Sequence, residues 1–187
     1  MRLIGILFCF IATSTCAQQE RAAHVFLGMP VGLNGAGGNT LSPKPGFALG
    51  LDYWFFNENR NTWSLGTTYS FFTRKNEQVK ETFEYLTLRA MPLVWHINKK
   101  KTWYIEAGVF GNYLFHQELQ ESGSVVNNTK ILQRTYLGPS VGIGARLGSE
   151  GRTRILVGIR DDFGALGLGK GTPLNFNTIT LFAGLEI

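Results

Sequence analysis

The segment Arg134–Gly148, RTYLGPSVGIGARLG, alternates between two kinds of residue almost without interruption. A period of two residues predicts a β-strand whose side chains point in turn to its two faces. One face carries only apolar residues, and the other combines glycine and polar residues with Arg134 and Arg146. If the face with the two arginines is the enclosed one, the apolar face meets lipid, and the protein is built inside out.

The same alternation recurs in eight stretches, which are separated by connections of alternating length. The predicted strands are His24–Leu33, Gly46–Phe56, Thr62–Phe72, Phe83–Ile97, Thr102–His116, Leu132–Gly148, Thr153–Phe163 and Asn175–Ile187. The first connection, NGAGGNTLSPKP, is long and the second, NENRN, is short, and this order repeats along the chain. A transmembrane meander sorts its connections in this way, with short turns in the periplasm and long loops outside. The sequence therefore predicts an all-β fold, an eight-stranded antiparallel up-and-down transmembrane β-barrel.

The N-terminus, MRLIGILFCFIATSTCAQQE, has the layout of a secretory signal peptide. Arg2 precedes an apolar run that is too short to cross a bilayer as a helix, and Thr15–Ala17 fits a small-x-small cleavage site. We therefore expect residues 1–17 to be a cleaved signal peptide and residues 18–187 to form the barrel domain. Cleavage removes both cysteines, which excludes a disulfide in the mature chain. Lipidation at Cys16 is disfavoured because the preceding Thr-Ser-Thr differs from the usual approach to a lipidated cysteine.

The composition of the chain limits the class of protein to which it belongs. Charged residues make up 17% of the chain, against about 25% in a typical soluble domain. The net charge of +5 is scattered along the sequence, without the basic stripe that binds nucleic acid. No apolar run is long enough for a transmembrane helix. We therefore expect no nucleic-acid partner and favour a membrane barrel.

The charged residues fall on one face of the predicted strands, and most strands have an uncharged second face. An Arg or Lys that faces lipid near the bilayer centre costs about 2–4 kcal/mol, so the charged face should point into the barrel. Eight strands leave a lumen only wide enough to be filled by side chains, and buried charges must be paired. We therefore expect a plug of salt bridges and not a pore. The predicted lumen charge network is Asp52, Arg89, Glu106, Arg134, Arg146, Arg154, Arg160, Asp162 and Glu186.

Aromatic residues gather at the two ends of the predicted strands, as they do in the aromatic girdles of membrane barrels. The predicted periplasmic girdle consists of Trp54, Trp63, Trp95 and Trp103. The predicted outer band consists of Tyr69, Phe71, Phe72, Phe83, Tyr85, Tyr113, Phe115, Tyr136, Phe163 and Phe176.

In the fourth strand Pro92 indicates a bulge, and the inward assignment of Arg89 depends on the register there.

Several stretches together carry a resemblance to a known family. The signal peptide, the eight strands, YLTLRAMPLVWHI followed by TWYIEAGVFGNYLF, and DDFGALGLGKG before an amphipathic last strand resemble the PorT-like outer-membrane β-barrel domain family. More loosely, the layout is similar to small barrels of the OmpA and OmpX type. The resemblance implies a Gram-negative outer-membrane protein without a cofactor, inserted by the barrel-assembly machinery. In such barrels the last strand usually ends in an aromatic residue, whereas TLFAGLEI ends in Ile187.

Motifs for nucleotide binding and catalysis are incomplete. GALGLGKG has the glycine spacing of a phosphate loop, but Gly171 stands where Ser or Thr must bind magnesium. His24, His96 and His116 are predicted to be far apart, so we expect no metal site, no catalytic residue and no cofactor. A lipid A-modifying hydrolase that uses His96 or His116 as its base is an alternative, although no paired nucleophile is apparent.

We expect a non-enzymatic integral outer-membrane barrel that contacts membrane lipid. Its long outer loops are expected to contact lipopolysaccharide or a protein partner that the sequence does not identify. The connection QELQESGSVVNNTK is the longest and most polar, so a binding role fits it best. A secreted soluble carrier of the lipocalin type is a further alternative, and it requires the Val, Leu and Ile rows to line a cavity.

Overall fold

The structure is a computed structural model that describes residues 21–33, 41–56, 62–98, 100–121, 123–127, 129–130, 134–148, 153–168, 171 and 176–187. The predicted signal peptide, residues 1–17, lies outside these ranges. Nearly all of the described residues lie in β-strands. Within the same ranges there is no helix that is long and apolar enough to cross a membrane.

The strands form one antiparallel sheet that closes on itself. They are β1 (Arg21–Gly32), β2 (Ser42–Phe56), β3 (Thr62–Lys75), β4 (Val79–His96), β5 (Trp103–Glu121), β6 (Ser124–Asn127), β7 (Thr135–Leu147), β8 (Arg154–Gly164), β9 (Leu166–Leu168) and β10 (Phe176–Glu186). Eight of them are long, and each long strand pairs with two long neighbours. The prediction of an eight-stranded antiparallel up-and-down barrel is confirmed.

The barrel closes between its first and last strands. β1 pairs with β10 from His24 opposite Glu186 to Gly32 opposite Thr178, and it pairs on its other side with β2. β10 in turn pairs with β8. Closure satisfies the backbone hydrogen bonds of every long strand and leaves no exposed sheet edge around the barrel.

The two ends of the barrel differ in their connections. β1 begins and β10 ends at one end, where the connections β2–β3, β4–β5 and β7–β8 also lie. We call this the short-turn end. The other end, the long-loop end, holds the connections β1–β2, β3–β4, β5–β7 and β8–β10.

At the long-loop end, several strands continue beyond their predicted limits. The connection TRKNEQVKETFE extends the β3–β4 hairpin, whose turn is organised by Asn76. Its side-chain Oδ1 accepts hydrogen bonds from the backbone N–H groups of Gln78 and Val79, at 2.9 and 2.7 Å. Likewise β6 pairs with the end of β5, and β9 pairs with the start of β7. The β3–β4 extension lacks an apolar row, and β6 and β9 are only four and three residues long, so the alternation of hydrophobicity did not predict them.

A β-bulge interrupts β4, as Pro92 indicated. Ala90 pairs with Val109 and Leu93 pairs with Ala107, so β4 has one more residue than β5 between these pairs. The extra residue places Pro92 and Leu93 on the outward face in succession. Because the shift lies on the short-turn side of Arg89, it leaves that arginine facing the lumen.

The alternation of side chains gives the barrel an inner face and an outer face. In β1, His24 and Phe26 are 1% and 3% exposed, whereas Val25 and Leu27 are 42% and 56% exposed. Every long strand contributes exposed apolar side chains to the outer face, and together they form what we call the apolar belt. The belt includes Val25, Leu27, Met29, Leu49, Leu51, Leu65, Leu88, Ile105, Val109, Val141, Ile143, Ile155, Ile159, Leu181 and Leu185.

Candidate functional site

The inner face of the barrel carries the charged residues, and Arg160 of β8 connects them at mid-depth. Its Nη2 donates to Oδ2 of Asp52 on β2 at 2.9 Å, and its Nε donates to Oε1 of Glu106 on β5 at 2.6 Å. The guanidinium also lies over the rings of Phe26 and Phe182, which contact each other, at 5.7 and 5.1 Å from their centroids. Arg160 therefore links three strands that are not neighbours in the sheet.

A second charge cluster joins β4 to β8. The guanidinium of Arg89 donates through Nε to Oδ1 of Asp162 at 3.1 Å and through Nη2 to Oδ2, which is a bidentate pair. Arg89 also donates to Thr68 Oγ1 at 2.6 Å, and Ser140 Oγ donates to Asp162 Oδ1 at 2.6 Å. Both charges are thus hydrogen-bonded to neutral groups as well as to each other, which buried ions require.

The third charge cluster lies at the short-turn end around Glu186. Arg146 donates to its two carboxylate oxygens at 2.7 and 2.5 Å, and Arg154 lies 3.6 Å away. The Nε2 of His24 lies 3.3 Å from Glu186 Oε2. The guanidinium of Arg146 also lies over the ring of Trp54, with its Cζ 5.6 Å from the centroid. The carboxylate of Glu186 therefore contacts two arginines and one histidine.

Of the nine residues predicted for the lumen charge network, the structure brings together eight. The exception is Arg134, which precedes β7 at the long-loop end and is partly exposed. Its Nε donates to the backbone oxygen of Thr129 at 3.2 Å, and its Nη1 donates to the hydroxyl of Tyr113 at 3.3 Å. The assignment of Arg134 to the lumen network was wrong, because β7 begins after it and the inward alternation does not extend to it.

Three of the four predicted girdle tryptophans are exposed on the outer face at the short-turn end. Trp63, Trp95 and Trp103 are 42%, 70% and 51% exposed. Trp54 is only 1% exposed, and its ring lies 4.5 Å from that of His24 inside the barrel. The placement of Trp54 in an outward girdle was wrong, because it follows Asp52 by two residues and shares its inward face.

The predicted outer aromatic band divides into an outward and an inward set. The outward set is Tyr69, Phe71, Tyr113, Phe115 and Phe163. The inward set consists of Phe72, Phe83, Tyr85 and Tyr136, which pack with Leu114 in a buried cluster. The side chain of Phe176 lies outside the described part of the structure. The band was therefore only partly correct, because its inward members pack inside the lumen towards the long-loop end.

Sequence reasoning missed two lumen residues, His24 and Tyr104, that lie beside the charge clusters. His24 was treated as a residue at the entrance of the first strand, yet it contacts Glu186. Tyr104 is fully buried, and its ring lies 4.8 Å from that of Trp54. Tyr104 lies two residues before Glu106 on the same inward face of β5, and His24 pairs across the strands with Glu186. The alternation could therefore have identified them, although residue type alone could not.

The two histidines considered as a catalytic base lie at opposite ends of the barrel: His96 ends β4 at the short-turn end, 3.4 Å from Thr62 Oγ1, and His116 lies at the long-loop end. His116 Nε2 lies 3.6 Å from Glu118 Oε2, and its Nδ1 lies 3.3 Å from Asn127 Nδ2. The phosphate-loop-like stretch GALGLGKG places β9 beside β7, and its Gly169 and Lys170 lie outside the described residues. Over the described ranges, no three His, Cys, Asp or Glu residues group as metal ligands.

Two glycines of the inner face lie directly beneath charged side chains. A Cβ at Gly142 would come within 2.6 Å of Glu106 Oε1, and a Cβ at Gly66 would overlap Asp52 Oδ1. Glycine at these positions lets the carboxylates lie against the backbone of the neighbouring strand. The room gained in the narrow lumen is occupied by the guanidinium of Arg160.

Comparison with known proteins concerns the fold. No family model matches the chain, and no curated protein matches it in sequence. Neisserial surface protein A has a similar structure, with a TM-score of 0.57 at 12% identity over 91% of this chain and 99% of that chain. Ail, the attachment invasion locus protein of Yersinia pestis, is similar with a TM-score of 0.51 at 16% identity over 91% of this chain and 100% of that chain. The chain thus has the fold of small outer-membrane β-barrels, while the resemblance to the PorT-like family stays a prediction.

The close approach at Gly66 predicts a stability effect. Gly66→Ala should lower the free energy of unfolding by about 1–3 kcal/mol, because the added methyl group displaces Asp52 from Arg160. Gly111→Ala is the matched control, because its Cβ would meet only the terminal Cδ2 of Leu137, which can rotate away. Urea unfolding of both variants in lipid vesicles measures the difference. Equal midpoints for the two variants would contradict the role of Gly66.

Proposed function

We propose that the chain is a non-enzymatic integral outer-membrane β-barrel protein with a lumen filled by its own side chains. The observation that carries this proposal is the inverted distribution of residues. Charged groups such as Arg160, Asp162 and Glu106 are at most 5% exposed inside the barrel, whereas the apolar belt is exposed on every long strand. A lipid exterior accounts for both faces at once.

The apolar belt is incompatible with a barrel surrounded by water. The largest exposed apolar patch of a typical soluble protein covers about 300–600 Å² on one side of the molecule. Here Leu27, Leu65, Val109 and Leu181 are each 46–60% exposed on four different strands. A belt that surrounds the molecule matches a bilayer, in which exposed apolar side chains have favourable neighbours. A lipocalin-type carrier would instead turn these rows inward.

The lumen is proposed to be closed to diffusion. Arg160 crosses it at mid-depth between Asp52 and Glu106, and the aromatic cluster of Phe72, Phe83, Tyr85 and Tyr136 closes it towards the long-loop end. An eight-stranded barrel is only wide enough for side chains to fill. We therefore place the function on the outer surface and the long loops.

The proposed orientation follows from the connections. Short turns and chain termini of bacterial membrane barrels lie in the periplasm, and long loops lie outside. The short-turn end is then periplasmic, which requires export by the predicted signal peptide, residues 1–17, and insertion by the barrel-assembly machinery. The location proposed for this chain is the outer membrane of a Gram-negative cell.

Lipopolysaccharide is the partner proposed for the outward surface at the long-loop end. Lys75 pairs directly opposite Lys80, both are exposed, and Lys44 lies on the same face of β2. Like charges directly opposite each other destabilise a strand pair, so a bound anion would relieve the repulsion. Phosphate groups of the outer leaflet supply such anions. Ail, in a related structure with a TM-score of 0.50, is in complex with the heparin analogue sucrose octasulfate.

Placing a charge in the apolar belt tests the membrane location. Leu181 pairs with Met29 and Ile159 and is 48% exposed. Leu181→Arg should cost about 2–4 kcal/mol of folding stability in lipid vesicles. Gln78→Arg, at the exposed tip of the β3–β4 hairpin, should change stability by less than about 0.5 kcal/mol. If Leu181→Arg is as stable as the control, the outer face of β10 is exposed to water. The soluble carrier of the lipocalin type is then the better hypothesis.

Removing the paired lysines tests the lipopolysaccharide contact. The double variant Lys75→Gln/Lys80→Gln should weaken binding of lipopolysaccharide to the detergent-purified barrel by about thirtyfold, because each of the two lysines near an anionic surface contributes about 1 kcal/mol. Isothermal titration calorimetry at low and high salt measures the change. Lys130→Gln is the control, since Lys130 is exposed but lies outside the Lys75–Lys80 pairing. Unchanged affinity in the double variant would contradict the proposed contact.

A further inference from the structure

A groove opens on the outer face of the barrel beside the bulge in β4. It has a volume of about 410 Å³, and Pro92, Leu93, Val94, Trp95, Ile105 and Ala107 are among its lining residues. None of these residues is charged. The groove belongs neither to the lumen charge clusters nor to the long-loop end.

The bulge creates the groove by changing which residues point outward. Leu93 and Trp95 form raised walls, with 65% and 70% of their surfaces exposed. Between them Val94 is 2% exposed because its side chain packs inside the lumen with Trp54 and Met91, so no outward side chain fills the space between the two walls. Ala107, which pairs with Leu93, has a side chain too small to fill the space beside it. The result is an open apolar channel in the belt.

A fixed turn with exposed positive charge lies just beyond the groove at the short-turn end. Asn98 Oδ1 accepts hydrogen bonds from the backbone N–H groups of Thr102 and Trp103, at 2.7 and 3.3 Å. Lys101 has a φ of 52° and its Nζ lies 5.2 Å from the centroid of the Phe56 ring. Lys100, between these two residues, is exposed. The apolar groove therefore has a cation at the end where a bilayer has its headgroups.

We propose that this groove holds an acyl chain of an anionic phospholipid whose phosphate lies at Lys100. The inference rests on the proposed membrane location, because only then does the groove face lipid. An acyl chain is apolar along its length and carries its charge at one end, which matches the groove and the turn. A second copy of the chain bound by two-fold symmetry at this patch would bring two Lys100 turns together, and the repulsion disfavours that occupant.

Native mass spectrometry of the full barrel, released from detergent in the presence of phosphatidylglycerol or phosphatidylcholine, tests the proposal. The wild-type barrel should retain phosphatidylglycerol preferentially. Lys100→Gln should reduce that preference by about fivefold, because one lysine contact is lost. Ala107→Leu should reduce the retention of both lipids, because the larger side chain fills the groove. Ala183→Leu adds the same group at an exposed outward position of β10 and should leave retention unchanged.

The other outcomes separate the proposal from its alternatives. Equal retention by the wild type, Ala107→Leu and Ala183→Leu overturns the groove site. If Ala107→Leu removes a dimer and leaves lipid retention unchanged, the occupant is a second copy and the lipid proposal is wrong. A barrel that folds in lipid but shows no lipid preference refutes this inference alone. A chain that stays water-soluble without detergent refutes the proposed membrane location as well.

Discussion

The pairing of charges inside the barrel is the constraint on which the rest of the structure depends. A buried ion without a partner is strongly destabilising, so each charge that points inward must meet an opposite charge and further hydrogen bonds. Arg160 meets Asp52 and Glu106, Arg89 meets Asp162, and Arg146 meets Glu186. These pairs join strands on different sides of the lumen, so they fix the barrel shape from within. The outer face is then left to the apolar side chains.

This inverted arrangement also decides where the protein can act. Because charge pairs and the aromatic cluster at the long-loop end occupy the interior, we propose that ligands bind to the exterior. The exterior differs along its length, with tryptophans and an exposed lysine turn at one end and extended hairpins with paired lysines at the other. The two proposed contacts, with a phospholipid and with lipopolysaccharide, use these two chemically distinct ends.

Alternation with a period of two predicted most of the barrel because it reports directly which face a residue occupies. It identified the eight long strands, the closure between the first and last, and eight of nine lumen charges. The prediction failed where residue type was preferred to register, as for Trp54, which alternation with Asp52 places on the inward face where it lies. It also failed beyond the apolar belt, where the β3–β4 hairpin continues in polar sequence and where β6 and β9 are too short to show a period. The groove beside Pro92 depends on side-chain volumes across a bulge, which a sequence pattern does not contain.

The most direct test of the inside-out barrel is the electrophoretic mobility of the chain from isolated outer membranes, with and without boiling. A closed membrane barrel whose backbone hydrogen bonds are all internal should resist SDS until heated. We predict that the protein fractionates with the outer membrane and that the unheated and boiled samples migrate differently. Recovery in the soluble periplasmic fraction, with one mobility in both samples, would contradict the account and would turn attention to a soluble barrel with an apolar cavity.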